Sequence, residues 1–408
     1  MTRSLPPSTA LHRHDPEEAS MTQATDERDA PARTTGPARP GRQAELPRQA
    51  GGPTSAAESA PAARQPRLLV LDGLRLGAAV MVVAYHLVGD KLRVWHGASG
   101  ASAFGPLHSA STYGFLGVQL FFIISGFVIC MSAWGRPVGD FFVSRVVRLY
   151  PAYWFAVLLA AGVLVLVPMK REIQGREVLA NLTMMQDFLG VAHLDLSYWT
   201  LTVEMIFYLL FAVVVARGLT YRRVVAFCAV WTVASLVVPK FDHSWLTTVT
   251  AAGHSSYFIA GVALYLIHRF GPNLLLWSIV GLSWLIALSR LLGIAKTRGV
   301  AFTPAAVIVT VFFLVMAAVA LHRLRWVRWP WVATAGALTY PLYLVHQTVG
   351  IAVIKQAQAY LSPWPLLGSL FGFLLVAAWL IHRFVERPAA RWMKRQLTAS
   401  LRQVRQAG

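Results

Sequence analysis

The segment LDGLRLGAAVMVVAYHL, Leu71–Leu87, is the first long apolar run of the chain, and it contains an arginine and a histidine. A run of this length is long enough to cross most of a lipid bilayer as a helix. Ionisable side chains are costly inside hydrocarbon and are usually retained there for a function. The segment therefore predicts a membrane helix in which Arg75 and His86 have a functional role.

The whole chain has the composition of a membrane protein. It has 408 residues, of which 56% are hydrophobic and 13% are charged, whereas about 25% of the residues of a soluble domain are charged. The fold class predicted is all-α, a polytopic membrane helix bundle with about ten transmembrane helices. The predicted spans are 68–88, 115–134, 150–168, 199–216, 224–239, 251–268, 274–292, 302–321, 331–353 and 365–385.

The chain divides into a membrane domain and two tails. Residues 1–66 are rich in Pro, Ala, Arg, Ser and Thr and contain few large apolar side chains. Such a segment buries too little surface to offset its chain entropy, so a disordered tail is predicted. Residues 67–390 form the predicted membrane domain, and 391–408 form a short basic tail.

The net charge of +19 is spread over tails and loops. Most of the 37 lysines and arginines fall in the two tails and in the loops on their side of the membrane. The positive-inside rule therefore predicts that both termini are cytoplasmic, and it explains the basic charge without a nucleic-acid partner. Arginine far outnumbers lysine and alanine is frequent, which favours a bacterial source and hence a bacterial plasma membrane.

The two polar residues of the first span share one helix face. Arg75 and His86 are 11 residues apart, which is three helical turns plus about 20° and a rise of about 16 Å. A cation near the cytoplasm and an imidazole deeper in the membrane suit an anionic substrate with a long uncharged arm, such as acyl-CoA. The alternative is structural: Arg75 extends to lipid headgroups and His86 bonds within the bundle.

Six motifs in sequence order resemble those of the acyltransferase 3 family of membrane acyltransferases. The first is the Arg-x10-His spacing of Arg75 and His86. The others are GFLGVQLFFIISGF (Gly114–Phe127), SRVVRLYPAYW (Ser144–Trp154), YWTLTVEMIFYLL (Tyr198–Leu210), LTYPLYLVHQ (Leu338–Gln347) and VERP (Val385–Pro388). The resemblance covers about residues 68–390, and it identifies 67–390 as a membrane acyltransferase domain.

The resemblance implies an O-acyltransferase. Members of the family transfer an acyl group, often acetyl, from acyl-CoA to a hydroxyl of a carbohydrate or a glycosylated metabolite. Carried over to this chain, His86 is the expected catalytic base and Arg75 binds or orients the donor. Arg145 and Arg148, which share a face if helical, are expected to meet the phosphates of acyl-CoA from the second cytoplasmic loop, unless they only anchor the protein at the membrane.

Four further residues are site candidates. Glu204 is expected to orient His86 or to bind the acceptor, although pairing with a membrane arginine is equally compatible with the sequence. His346, Tyr208 and Ser125 are secondary candidates. Ser125 lacks the G-x-S-x-G context of a nucleophile elbow, and a serine next to glycine is typical of close helix packing. Glu386 is expected to form a structural ion pair.

Two other classes of protein remain alternatives. Ten spans with buried ionisable residues also fit a transporter or flippase of a glycan or small molecule, but neither inverted repeats nor duplicated halves are visible in the sequence. A non-catalytic membrane partner in glycan assembly is the third alternative. The sequence contains no metal-ligand cluster and no Gly-rich phosphate loop, so no metal or bound cofactor is predicted. The predicted partners are acyl-CoA as co-substrate, the acceptor and the lipid bilayer.

Overall fold

The computed structural model describes residues 68–167, 172–241, 244–327 and 329–407. The tail predicted to be disordered, 1–66, lies outside these residues. The described part is helical and contains no β-strand. Its helices are α1 (Leu69–Ala84), α2 (Gly100–Phe104), α3 (Pro106–Ser111), α4 (Gly117–Ala133), α5 (Val138–Leu166), α6 (Gly175–Leu182), α7 (Trp199–Ala216), α8 (Tyr221–Val237), α9 (Ser244–Val249), α10 (Ser255–Phe270), α11 (Leu274–Arg298), α12 (Phe302–Ala320), α13 (Pro330–Ala357), α14 (Pro363–Leu380) and α15 (Arg387–Ala407).

The predicted membrane helix bundle is confirmed. Within the described residues, nine helical segments are long and apolar enough to cross a membrane. The remaining predicted span, 251–268, corresponds to α10, which has only 16 residues. Every residue from Ser255 to Ile267 is buried, and α10 packs against α4, α8, α11 and α12. Because its neighbours enclose it, α10 has little contact with lipid.

Two observations indicate that α10 completes ten crossings. Leu68 at the start of α1 and Arg387 at the start of α15 line the same cavity, so the first and last spans begin and end at one end of the bundle. In addition, α1 and α13 run parallel, because a Cβ on Gly336 would meet Asp72 and one on Gly350 would meet Leu87. The first relation requires an even number of crossings in total, and the second requires α13 to be an odd-numbered crossing. The nine long helices alone satisfy neither.

The helix α5 is longer than predicted. It begins at Val138, 12 residues before the predicted start of the third span at 150, and continues through Pro151 to Leu166. Arg145 and Arg148 therefore lie within a helix and not in a loop. Their i, i+3 spacing places them on one face, as predicted.

A close contact between α4 and α10 forms the centre of the bundle. A Cβ on Gly126 would lie 2.2 Å from the backbone oxygen of Phe258, and one on Gly261 would lie 2.1 Å from that of Ile123. Glycines at such contacts let two helix backbones approach, which is a common way to pack membrane helices without help from the hydrophobic effect. The SG pair in the second span thus contributes a packing glycine, as the serine–glycine pattern predicts.

We expect Gly261→Ala to loosen this contact. The new methyl group would collide with the backbone of α4, and overpacking of this kind costs about 1–3 kcal/mol. The detergent-solubilised protein is heated, and the folded fraction at each temperature is measured by size-exclusion chromatography. The midpoint temperature of unfolding should be lower than that of the wild type. Gly281→Ala in α11 is the matched control, because a Cβ there meets nothing within 4 Å. Equal midpoints for the two variants would contradict this account of the α4–α10 contact.

Candidate active site

A wide cavity opens at the end of the bundle where the first span begins and the last ends. Its volume is about 850 Å³. Positively charged side chains dominate its polar lining, and they come from three different helical segments of the chain. These residues are Arg75, Arg145, Arg148, Arg383 and Arg387, and the side chain of His382 lies beside them.

Two carboxylates hold part of this cationic lining in place. Glu386 is buried, accepts a hydrogen bond from Arg148 at 2.7 Å and pairs with His382 at 2.8 Å. The guanidinium of Arg148 also lies 5.7 Å from the centre of the Tyr340 ring. Asp72, one turn before Arg75 on α1, lies 3.7 Å from it. The ion pair expected for Glu386 is present. Its partner, Arg148, is one of the residues predicted to bind the donor.

A smaller cavity of about 130 Å³ continues inward from the same arginines. Arg75, Arg145 and Arg148 line both cavities, and the inner one adds Ser125, Glu204 and Tyr208. Phe121, Phe122 and Leu201 contribute apolar walls. The lining therefore changes from cationic at the mouth to mixed apolar and polar inside, which suits a ligand that is anionic at one end and neutral at the other.

Glu204 is the polar centre of the inner cavity. One oxygen of its carboxylate accepts hydrogen bonds from the Ser125 hydroxyl at 2.5 Å and from the Tyr208 hydroxyl at 2.6 Å. Tyr208 lies one turn further along α7, so the helix itself places it next to Glu204. Ser125 comes from α4, and this bond ties the second and fourth spans together. The structure thus places three of the predicted site residues in one hydrogen-bonded cluster.

His86 and His346 form a separate pair. Nδ1 of His86 lies 2.9 Å from Nε2 of His346, although the two residues are 260 positions apart. His346 is fully buried on α13, and His86 lies in a π-helical turn, Tyr85–Gly89, that follows α1. Single π turns inside helices are frequent at functional sites. Spacing arguments on a regular helix do not predict this turn.

The hydrogen bonds of the pair assign its protons. Nδ1 of His346 lies 2.6 Å from the backbone oxygen of Tyr343, which only accepts, so this nitrogen carries the hydrogen. In neutral His346 the other nitrogen, Nε2, is then an acceptor, and His86 donates to it through Nδ1. The remaining nitrogen of neutral His86, Nε2, keeps its lone pair. This is the arrangement that a general base requires.

Tyr343 lies between the histidine pair and the inner cavity. Its ring lines the cavity and packs edge-on against Phe121, with the centroids 5.7 Å apart. The centre of the same ring is 5.5 Å from that of His346. The predicted residues thus fall into two groups: the arginines, Ser125, Glu204 and Tyr208 around the cavities, and the two histidines behind Tyr343.

The far side of His86 is bounded by the Tyr85 ring and by Arg298, which contacts it. Arg298, at the end of α11, donates to the hydroxyl of Tyr85 and lies 4.5 Å from the centre of the Phe115 ring. The ring of Tyr85 packs edge-on against His86 at 5.1 Å. Just beyond the span, burial raises the pKa of Asp90. His86 is thus close to the end of the bundle opposite to the cationic mouth.

Asp195 is a buried residue that the sequence analysis missed. One of its carboxylate oxygens accepts from the backbone and hydroxyl of Ser197 at 2.8 and 2.6 Å. The other accepts from the backbone N–H of Thr348 at 2.9 Å, two residues after His346. Tyr198 and Tyr343 add hydrogen bonds between the same two segments. An aspartate just before a predicted span, followed two residues later by serine, is the signal that could have revealed this cap.

Comparison with known proteins identifies the family of the chain. The model of an acyltransferase domain family, Acyl_transf_3, matches residues 68–383. The chain belongs to this family of acyltransferases. It is also similar to Acyltransferase MdmB of Streptomyces mycarofaciens, with 26% identity over 372 residues that cover 81% of this chain and 93% of that protein. No solved structure matches the chain.

We expect Asp195→Asn to lower the rate of acyl transfer about tenfold or more. The amide can still accept from Ser197, but its NH2 group would face the N–H of Thr348, and a buried mismatch of this kind costs about 1–3 kcal/mol. The position of His346 should change, whereas the arginine-lined cavity should stay intact. Steady-state kinetics should therefore show a lower kcat and little change in the KM of the donor.

Asp187→Asn is the matched control for this variant. Asp187 lies in the same loop and pairs with His193 near the surface at 2.9 Å, whereas the contacts to α13 come from Asp195, Ser197 and Tyr198. Its kcat should equal that of the wild type. A kcat for Asp195→Asn equal to that of this control would show that Asp195 does not position the histidine pair.

Proposed function

We propose that this protein is an integral-membrane O-acyltransferase that transfers an acyl group, acetyl in the first instance, from acyl-CoA to a hydroxyl of a carbohydrate or glycosylated metabolite. The observation that carries the proposal is the hydrogen-bonded pair of His86 and His346, which leaves one nitrogen of His86 as a base. The cationic mouth supports an anionic donor. Family membership favours this function over a transporter or flippase.

In the proposed reaction, the acceptor hydroxyl gives its proton to Nε2 of His86 as its oxygen attacks the thioester carbon. The C–O bond forms, the C–S bond breaks, and the CoA thiolate takes the proton from His86. The imidazolium of His86 keeps its hydrogen bond to Nε2 of His346, so the pair stays bonded throughout. His346 is a positioning residue, since it holds the His86 ring through the bond to Tyr343.

The donor is proposed to enter through the arginine-lined cavity, with its thioester first. Guanidinium groups make strong, paired hydrogen bonds to phosphate oxygens, and the mixed walls of the inner cavity suit the uncharged arm. Arg75 is about 16 Å from His86 along α1. The Tyr343 ring separates the inner cavity from the histidine pair, so the proposal requires this ring to move when the donor binds.

The orientation in the membrane follows from the donor. Acyl-CoA is made in the cytoplasm, so the arginine-lined mouth is placed at the cytoplasmic face, and the start of α1 and the end of α14 are placed there as well. This agrees with the predicted cytoplasmic termini and with a location in the bacterial plasma membrane. Glu204, which faces the cavity with Ser125 and Tyr208 bound to it, is proposed to contact the donor arm or the acceptor and not to act as the base.

We expect His86→Ala to abolish transfer without abolishing donor binding. Loss of a general base costs about 10²–10⁴-fold in rate, whereas the arginines that bind the donor remain. The measurement is thiol release from acetyl-CoA by the protein in lipid nanodiscs, with and without a set of methyl glycosides, together with calorimetric binding of CoA. His96→Ala is the control, since His96 is exposed in a loop and should leave the rate unchanged.

Two results would contradict the proposal. Thiol release by His86→Ala at the rate of the wild type would show that His86 is not the base. A wild-type protein that neither binds CoA nor releases thiol from acetyl-CoA or longer acyl-CoAs would contradict the use of an acyl-CoA donor altogether.

A further inference from the structure

Two arginines of the last membrane segment extend the cationic lining beyond the residues that the sequence singled out. Arg383 lies in the π-helical turn Ile381–Glu386, and Arg387 is the first residue of α15. Both line the outer cavity together with Arg75, Arg145 and Arg148. Neither Arg383 nor Arg387 lines the inner cavity, so they occupy the outer part of the site.

In the described part of the chain, two of the three inner arginines have a carboxylate nearby, whereas the two outer arginines do not. Arg148 is paired with Glu386 and Arg75 lies near Asp72, which offsets part of their charge. Among the residues that the structure describes, no carboxylate lies within ion-pair distance of Arg383 or Arg387, and both are exposed. Glu386 lies between them in the sequence, but it is buried and pairs instead with Arg148 and His382. Their positive charge is thus available to a ligand in the cavity.

The spacing of the two residues suits a single phosphate group. Residues four positions apart are neighbours on a helical surface, and both of these side chains face one cavity. A phosphate monoester carries nearly two negative charges at neutral pH and three acceptor oxygens. Two adjacent guanidiniums match this group better than they match a diphosphate ester, which carries its charge over a longer span.

We propose that Arg383 and Arg387 form a subsite for the phosphate monoester of the donor nucleotide, the 3′-phosphate of the CoA ribose. This rests on the proposed function. Because the donor enters with its thioester first, its nucleotide is the last part to enter and lies among the outermost cations. Arg75, Arg145 and Arg148, which line both cavities, are then left for the diphosphate and the start of the uncharged arm.

The test compares acetyl-CoA with acetyl-dephospho-CoA, which lacks only the 3′-phosphate, as donors for the wild type and for Arg383→Gln/Arg387→Gln. In the wild type, we expect the KM of the dephospho donor to be at least about tenfold higher, which corresponds to about 1.4 kcal/mol. The double variant should have a raised KM for acetyl-CoA and should no longer distinguish the two donors. Its kcat should stay near that of the wild type.

Two further variants control for charge and folding. Arg391→Gln/Arg395→Gln removes the same charge from α15 at residues that line a different surface groove, and it should keep the full preference for acetyl-CoA. Arg383→Lys/Arg387→Lys should recover part of the preference, because lysine keeps the charge and loses the paired geometry. A double glutamine variant that retains the preference of the wild type overturns the subsite even though acetyl-CoA remains the donor.

Anionic lipid headgroups carry the same chemistry, so the experiment is run in two membranes. In nanodiscs of phosphatidylcholine alone, the loss of preference in the glutamine variant should persist. If the variant differs from the wild type only in nanodiscs that contain phosphatidylglycerol, and does so equally for both donors, the two arginines bind lipid and the subsite is overturned. If the wild type neither uses nor binds either donor, the proposed function is wrong. If the wild type uses both donors equally well, the proposed function stands and only the subsite is overturned.

Discussion

The structure depends on the need to give the polar and charged groups inside the bundle partners from the protein itself. Hydrocarbon offers no hydrogen bonds, and an unpartnered polar group in it costs several kcal/mol. In this bundle the partners come from helices that are distant in the sequence. Ser125 of α4 bonds Glu204 of α7, His86 after α1 bonds His346 of α13, and Arg148 of α5 bonds Glu386 near the end of the last span. Each pair therefore fixes the position of one helix against another.

The helix α13 shows how these pairs organise a site. It lies parallel to α1, with glycines at the two ends of their contact, and this brings His346 to the level of His86. On its other side it is held by the segment that starts α7, through Asp195 and the tyrosines next to it. The His86 ring, in the turn after α1, thus owes its orientation to a helix that is itself held by a third element. These successive contacts limit the rotation of the His86 ring.

Much of the bundle could be predicted from the sequence, and the reasons for the exceptions are physical. Hydropathy locates most spans to within a few residues, because length and apolar character are local properties. It missed the start of α5, where Arg145 and Arg148 make a helical segment look like a loop. It also placed Arg75 and His86 on one regular helix, whereas a π turn begins just before His86. The hydrogen bonds that decide between helical forms are not visible in the composition of a segment.

The site was predictable only in part, because spacing along one helix says nothing about which other helix faces it. The family motifs identified nearly all of the polar residues that the structure brings together, but not their grouping around the cavities and behind Tyr343. Asp195 was missed because it lies just outside a span and looks like an ordinary capping residue. Arg383 and Arg387 were missed because arginines next to the end of a span are common in any membrane protein.

The separation of the charges in the bundle has an energetic reason. The five arginines line the wide outer cavity, and the cost of a charge is smaller at an open end of the bundle than in hydrocarbon. The histidine pair lies deeper, and its hydrogen bonds are satisfied with both rings neutral. A permanent cation at the fully buried position of His346 would be costly, whereas in the proposed reaction His86 carries a proton only while the acyl group is in transit. The proposed reaction therefore keeps the lasting charges of the donor at the arginines and brings only the neutral thioester to His86.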